Sequence, residues 1–416
     1  MGRRQGKDAR EKRKVAVLSH ATLRFAHFPL RLLSPFLFPL FSFLCLNPAI
    51  AAPWNIPAPE LPARAYVLVE AQSGTELAAV NADVHLPPAS LTKLMTAYLL
   101  FGDLRAGKLK LDEPVTVSRY AARLPGARMF LREGESVPVE DLFKGMLVQS
   151  GNDATFALIE RVSGTLPAFV ERMNTMAAEL GLANTHFANA TGLNNPQHYS
   201  SARDLTRLAL AVKRDFPEYV GWFALHEYSW AGITQPNRNP LLRDPGVDGL
   251  KTGHTENAGY CLIASARRDG MHLIATLLGT DSEQGRARSG RQLLDFGFRQ
   301  FETRLQYRSD ALVTTLPLWQ GEADTVALGV TRDVWITLPR GGFTAFSAQA
   351  TLPQNQMAPV TRDQTLGRLA LAYNGQALAE LPLVALASVT EGNIAKRSTD
   401  RLRRWFRELG LVQAAP

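Results

Sequence analysis

The spacing of apolar and polar positions divides the chain into segments of different texture. Between about Pro57 and Phe301, strand-like and helix-like periods alternate. Tyr66-Val67-Leu68-Val69-Glu70 predicts a strand, closed by a turn at Ser73-Gly74. Leu91 to Phe101 predicts a buried helix, and Asp141 to Val148 and Ala154 to Val162 predict two more. Ser201-Ala202-Arg203-Asp204 predicts a capped start to a helix that extends through Val212. Tyr260 to Ala264 and His272 to Leu278 predict two strands joined at Asp269-Gly270, a pair that tolerates the positive φ angles of a tight hairpin.

From about Leu305 to Leu386 the helical period disappears. Val334 to Leu338 and Leu369 to Tyr373 are strand-like, and Asn374-Gly375 marks a hairpin, so this region predicts a small all-β domain, a sandwich. The end of the chain is helical again. Leu402, Trp405, Phe406 and Leu409 recur at i, i+3, i+4 and i+7, with Arg401, Arg403, Arg404 and Arg407 mostly off that face. Ser398-Thr399-Asp400 predicts its cap, and about Val412 its end. A basic amphipathic helix with Trp at its boundary suits an anionic membrane surface. The predicted organisation is a leader at 1–51, an α/β (α+β) domain at 52–302, a β-rich domain at 303–392 and an amphipathic helix at 396–416.

The net charge of +8 looks basic but is concentrated at one end. Residues 1–51 carry nine Lys/Arg against two Asp/Glu, which leaves the remainder at 37 against 36. That remainder has no global basic field, so nucleic-acid binding has no electrostatic support. The basic stretch Arg3 to Lys14, the apolar run Phe28 to Leu46 and the small-residue site Ala49-Ile50-Ala51 follow the order of an export signal. An uncleaved membrane anchor is the alternative. Cys45 falls within this leader, so Cys261 is left alone, without a partner for an internal disulfide. Its apolar neighbours predict a core position.

Three short motifs carry chemistry. Ser90-Leu91-Thr92-Lys93 follows Pro87-Pro88-Ala89 and places a hydroxyl and an amine one turn apart at a predicted helix start. Backbone N–H groups there favour a developing oxyanion, and a buried amine near another cation loses proton affinity and can accept the serine proton. Ser150-Gly151-Asn152 follows a predicted helix and projects a hydroxyl and an amide from a tight turn, although the same tripeptide fits an ordinary helix start. Lys251-Thr252-Gly253-His254 enters a predicted edge strand. Its cation and hydroxyl suit a carboxylate, and Gly253 is expected to let substrate backbone approach closely. A lone Ser-x-x-Lys occurs by chance about once in a chain this long. The ordered set of three is what carries weight.

With these motifs the chain resembles the type-five D-alanyl-D-alanine carboxypeptidase family of low-molecular-mass penicillin-binding proteins. The likeness extends to Gln149-Ser150-Gly151-Asn152-Asp153-Ala154, Tyr199 to Asp204, Asn237-Arg238-Asn239 and Asp248 to Thr255. The resemblance implies a serine β-lactamase/DD-peptidase-like catalytic domain, with a central antiparallel sheet flanked by helices. It implies that Ser90 attacks the carbonyl between two terminal D-alanines, with Lys93 as general base and Ser150 with Lys251 returning the proton. Asn152 would orient the acyl segment. Thr252 and Arg238, with Arg286, would bind the terminal carboxylate. Backbone N–H groups of Ser90 and His254 would form the oxyanion hole. Neither metal nor organic cofactor is implied. The implied partners are peptidoglycan stem peptides, β-lactams and an anionic membrane surface, and the implied location is the periplasmic face of the inner membrane. The stretch Leu124 to Phe130 departs from the family by looking short, with Arg128 near the place of a loop serine.

Three alternatives stay open at this stage. A class A β-lactamase needs a Glu-x-x-x-Asn, and Glu171 to Asn174 is one residue short of it and predicts a surface helix. An endopeptidase acting on cross-links shares the motifs. A non-catalytic wall-binding scaffold is disfavoured by the intact Ser90, Lys93, Ser150, Asn152 and Lys251.

Overall fold

A computed structural model describes residues 54–408, so the predicted leader at 1–51 and the last eight residues lie outside the described part. The chain opens with the hairpin β1 (Ala65–Glu70) and β2 (Glu76–Val80), then a 3₁₀ turn at Ala89–Thr92 that runs into α1 (Lys93–Arg105). A mostly helical lobe follows: β3 (Pro114–Thr116), α2 (Arg119–Ala122), β4 (Ser136–Pro138), α3 (Val139–Val148), α4 (Asn152–Ser163) and α5 (Leu166–Glu179). Then come α6 (Ala202–Asp215), the hairpin β5 (Glu227–Trp230) and β6 (Ile233–Pro236), and the strands β7 (Val247–Thr255), β8 (Gly259–Arg268) and β9 (Met271–Thr280), closed by α7 (Glu283–Gln300).

The central sheet is antiparallel, in the order β2-β1-β9-β8-β7, which leaves β7 at an edge. Both its faces are buried. On β1, Ala65, Val67 and Val69 face the core shared with the helical lobe, while Tyr66 and Leu68 face the core under α7. On β8, Cys261 and Ile263 face the first core, and Leu262, Ala264 and Ala266 the second. Two buried faces explain why these strands read as continuous apolar runs without polar alternation. Each fully buried Leu or Ile contributes roughly 1.5–3 kcal/mol of transfer free energy. The predicted turns have the expected backbone: Asp269 and Gly270 have φ of 48° and 80°, and Asn374 and Gly375 of 49° and 76°. Ser201 caps α6 by accepting from Asp204 N at 3.1 Å.

The second domain is all β: β10 (Phe301–Tyr307), β11 (Thr314–Trp319), β12 (Thr325–Gly329), β13 (Val334–Pro339), β14 (Phe346–Thr351), β15 (Gln356–Met357), β16 (Thr365–Tyr373) and β17 (Gln376–Ala385). Six of these form one sheet, β14-β16-β17-β12-β11-β15, and β10 pairs with β13 in a second. Their facing side chains, among them Leu316, Leu328, Ile336, Leu338, Leu369 and Leu383, make a separate core. At the junction with the first domain, the Glu70 carboxylate holds the Ser73 turn and β9, accepting from Ser73 N at 2.7 Å and His272 N at 3.1 Å, and Thr337 of β13 reaches across to Ser73 Oγ at 2.7 Å and to Glu70 at 3.5 Å.

The terminal helix α8 spans Ile394–Glu408, which corrects the predicted start. Its cap is Asn393, whose Oδ1 accepts from Lys396 N at 2.9 Å. Ser398, Thr399 and Asp400 lie inside the helix. Asp400 is buried, accepting from Gln320 N at 2.8 Å and pairing with Lys396, which also reaches Asp324. The first turns are held by polar docking, so no apolar period announced them. Leu402 and Trp405 are exposed. Among the described residues, no helix is long and apolar enough to cross a membrane.

Candidate active site

The site forms where the 3₁₀ turn, the α3–α4 turn and β7 meet. Ser90 lies in the 3₁₀ turn and is partly exposed, while Lys93 is the first residue of α1 and fully buried. The helix start expected at Ser90 is thus a single tighter turn preceding the α-helix. Lys93 Nζ lies 3.1 Å from Ser90 Oγ, 2.7 Å from Asn152 Oδ1 and 3.0 Å from the Thr191 carbonyl. An ammonium would donate to all three oxygens. A neutral amine has two hydrogens for the two carbonyl acceptors and one lone pair for the Ser90 hydroxyl. Both protonation states are therefore satisfied with the same heavy-atom positions. Burial, with help from the Arg238 charge, lowers the Lys93 pKa to about 7, and Asp153 opposes the shift.

Ser150 closes the turn after α3 with a φ of 63°, and Asn152 opens α4. Asn152 Nδ2 donates to the Pro125 carbonyl at 2.6 Å, which leaves Oδ1 aimed at Lys93. Asn152 N donates to the Ala127 carbonyl at 2.7 Å, and the Asp153 carboxylate accepts from Met129 N and Leu131 N at 2.9 and 3.1 Å. These bonds lay the segment containing Arg128 against the site. Ser150 Oγ is buried without a hydrogen-bond partner.

On β7, Lys251 and Thr252 are buried and His254 is exposed, its ring tilted by 31° against that of Tyr260 with centroids 4.1 Å apart. Lys251 Nζ donates to the Thr252 carbonyl at 3.0 Å. Burial and the charges of Lys93, Arg238 and Arg286 hold its ammonium well below the ordinary lysine pKa. Gly253 also packs against the protein's own backbone. A Cβ there would sit 3.0 Å from the Pro88 carbonyl oxygen and 3.1 Å from Ser90 N. A methyl group there would press on the turn that carries Ser90, so the small residue favours the close packing of that turn against β7. Arg238 Nε donates to the Gln149 carbonyl at 3.1 Å, and Arg286 Nη2 to the Arg238 carbonyl at 3.2 Å, while Arg286 Nε is buried and unpartnered. The structure thus gathers Lys93, Arg238 and Arg286 around Lys251, a concentration of positive charge suited to an anion.

Sequence reading missed the loop that faces the Ser90 turn. Thr191 contributes only its carbonyl, and a backbone carbonyl has no residue signature. Gly192 has a φ of 84°, and a Cβ on it would lie 1.8 Å from the Ala89 carbonyl oxygen. Glu171, the nearest candidate for a β-lactamase-type glutamate, is exposed on α5.

Residues 53–282 match the family model described as D-alanyl-D-alanine carboxypeptidase, and residues 301–391 match the model of the penicillin-binding protein 5 C-terminal domain. The D-alanyl-D-alanine carboxypeptidase DacC of Escherichia coli (strain K12) is 40% identical over 379 residues, covering 88% of this chain and 95% of that protein. The crystal structure of penicillin-binding protein 5 from Haemophilus influenzae superposes with a TM-score of 0.77 at 38% identity, covering 81% of this chain and 100% of that one. Penicillin-binding protein D2 from Listeria monocytogenes, in its ampicillin-bound form, superposes with a TM-score of 0.54 at 32% identity, covering 58% of this chain and 100% of that one. With over half the chain inside one family model and a relative matched nearly end to end, this chain belongs to the D-alanyl-D-alanine carboxypeptidase family.

Proposed function

We propose that this chain is a serine D-Ala-D-Ala carboxypeptidase that removes the terminal D-alanine from peptidoglycan stem pentapeptides through an acyl-enzyme on Ser90. The observation that carries this reading is the three-oxygen environment of Lys93. An amine poised near neutrality, with its two hydrogens engaged elsewhere, directs its lone pair at the Ser90 hydroxyl. Ser90 Oγ forms a bond to the penultimate D-alanine carbonyl carbon as its proton passes to Lys93. The tetrahedral oxyanion is held by Ser90 N–H and His254 N–H. Collapse breaks the C–N bond as the proton held by Lys93 passes by way of Ser150 and Lys251 to the departing amine of D-alanine, which returns Lys93 to its neutral form. Water, deprotonated by Lys93, then splits the ester and restores Ser90. The unpartnered Ser150 hydroxyl supports its part in this path, because a buried hydroxyl without a bond costs about 1–3 kcal/mol that a bound substrate would recover.

Asn152 orients the acyl segment, and Thr252, Arg238 and Arg286 grip the terminal carboxylate. β-Lactams, whose amide stands in for the D-Ala-D-Ala bond, acylate the same hydroxyl. The protein acts outside the cytoplasm after loss of residues 1–51. Domains at 52–302 and 303–392 are followed by a helix that rests on the anionic periplasmic face of the inner membrane. The test is mass spectrometry of the intact protein after penicillin, with the modified peptide mapped, beside assays of D-alanine release from a stem pentapeptide. One adduct on Ser90, absent from Ser90→Ala, and pentapeptide turnover are expected. An adduct elsewhere overturns the assignment. Faster nitrocefin hydrolysis than D-alanine release points to a β-lactamase, and monomer release from cross-linked muropeptides to an endopeptidase.

A further inference from the structure

We propose that His198 is a positioning residue that aims the Ser90 N–H at the oxyanion through Thr92 and the Ala89–Ser90 peptide. The proposal rests on the acyl-enzyme reading above, in which the Ser90 N–H is an oxyanion donor. His198 lies in the loop before α6 and is buried, and the catalytic scheme makes no use of it. Its ring spans two segments. Nδ1 is 3.0 Å from Ala188 N, and Nε2 is 2.7 Å from Thr92 Oγ1. A backbone N–H can only donate, so Nδ1 is the acceptor and the ring proton resides on Nε2. Thr92 Oγ1 in turn donates to the Ala89 carbonyl at 2.8 Å, so its remaining capacity is to accept from Nε2. The four groups form one directional chain: Ala188 N–H to His198, His198 to Thr92, Thr92 to the Ala89 carbonyl.

That carbonyl belongs to the peptide unit whose other end is the Ser90 N–H. Peptide planarity makes the two groups point in opposite directions, so fixing one aims the other. The aim needs fixing, because Ala89 has a φ of 47°, a backbone conformation costly for a residue with a side chain. Hydrogen bonding to the carbonyl also polarises the shared peptide and strengthens its N–H as a donor. The chain works in one direction only while the imidazole is neutral, and burial favours that form, lowering the His198 pKa to about 4.

A side chain that acts on the oxyanion donor affects the transition state more than the bound ground state. The test is saturation kinetics of acylation by a chromogenic β-lactam, with thermal midpoints recorded in parallel. The variants are His198→Ala, His198→Gln, Thr92→Val, Thr92→Ser and the double variant His198→Ala/Thr92→Val. His198→Ala and Thr92→Val are each expected to lower the limiting acylation rate by about tenfold to a hundredfold with little change in the dissociation constant. The double variant is expected to be no slower than the slower single one. The glutamine carboxamide presents an acceptor and a donor at nearly the imidazole spacing, so His198→Gln should recover most of the rate, and Thr92→Ser, which keeps the hydroxyl, should stay close to wild type. Wild-type acylation rates in Thr92→Val, or losses as large in His198→Gln and Thr92→Ser as in the disruptive variants, overturn the proposal. These two conservative variants keep the test decisive if His198→Ala does not fold. Failure of the underlying reading is seen separately, as wild-type protein that carries no adduct on Ser90.

Discussion

Asn152 Oδ1 lies 2.7 Å from Lys93 Nζ, and the orientation of the amide is fixed because its NH₂ end donates to Pro125. Asn152 therefore has a role in the protein before any substrate arrives: it takes one of the two hydrogens of the amine. In the proposed scheme, the residue that orients substrate and the residue that removes the proton are thus mechanically one unit. Replacing Asn152 by Asp tests this. A carboxylate at that distance stabilises the ammonium in a buried site. Asn152→Asp should move the alkaline-rising limb of acylation upward by one pH unit or more, and acylation near neutral pH should fall by at least about tenfold. A pH profile of the acylation rate checks the shift. An unmoved limb would mean that the amide does not touch the working base.

The wild-type profile has a defined sign. Burial lowers the Lys93 pKa to about 7, so the amine is protonated below that pH and free to accept a proton above it. The acylation rate should rise through about pH 7 and level off at higher pH. The same shift affects stability. Because the unfolded lysine binds its proton more tightly, stability contributed by this group rises with pH between about 7 and the ordinary lysine pKa. Lys93→Ala should lower acylation by about a hundredfold to ten-thousandfold and abolish the limb. Stopped-flow acylation across pH distinguishes this from a residue that serves only to pack the site.

Arg238 and Arg286 are tied to each other through the Arg238 carbonyl, and the charges of both act on Lys251. If Arg238 grips the terminal carboxylate as proposed, Arg238→Ala removes one charge-assisted contact, worth about 1.5–3 kcal/mol. KM for a D-Ala-D-Ala-terminated peptide should then rise at least about tenfold, while a C-terminally amidated analogue should respond little to the substitution. Equal losses on both substrates would place Arg238 among residues that hold the fold and not the carboxylate.

Gly253 permits a sharper structural test. An added methyl would press on Pro88 O, Ala89 Cβ and Ser90 N, at 3.0, 3.1 and 3.1 Å, and two of these atoms are backbone. Gly253→Ala should push β7 away from the Ser90 turn. A shift of a few tenths of an ångström relieves these contacts, so acylation should fall by about tenfold, with a smaller effect on thermal stability. Acylation at the wild-type rate in Gly253→Ala would show that β7 has slack at this point.

Much of the fold was legible because its signals are local. β8 and β9 show apolar runs around Asp269-Gly270, and α6 shows its Ser201 cap. The Ser90-to-Lys93, Ser150-to-Asn152 and Lys251-to-His254 segments were legible as an ordered set. What escaped has no side-chain pattern. The Thr191 carbonyl takes a hydrogen from Lys93, and any residue could supply a carbonyl. The packing of Gly253 against the Pro88 and Ser90 backbone also escaped, since a sequence cannot show which backbone lies beside a glycine. The start of α8 escaped for another reason. Residues 394–400 are helical through the Asn393 cap and the docking of Lys396 and Asp400, so their polar texture resembled a loop.

The corrected start of α8 changes the experiment on the tail. The segment through Asp400 is fastened to the β domain by the Gln320 and Lys396 contacts, whereas Leu402 and Trp405 beyond it are exposed. The buried docking contacts thus end at Asp400, while the helix beyond it carries the exposed apolar pair and a further contact to the β domain, Arg404 Nη1 to Met357 Sδ at 3.5 Å. A chain ending at residue 400 keeps the buried contacts and loses the proposed membrane contact, and a chain ending at residue 393 loses both. Both truncated proteins should remain in the supernatant with vesicles of phosphatidylethanolamine and phosphatidylglycerol, while the chain carrying residues 401–416 should sediment, less so as salt is raised. Acylation by penicillin should be unchanged in all three, because no residue of the cleft is touched. The chain ending at 400 should also melt at a higher temperature than the one ending at 393, since only it retains the buried Asp400 contacts. Sedimentation of the chain ending at residue 400 would put the membrane contact somewhere other than the exposed face of this helix.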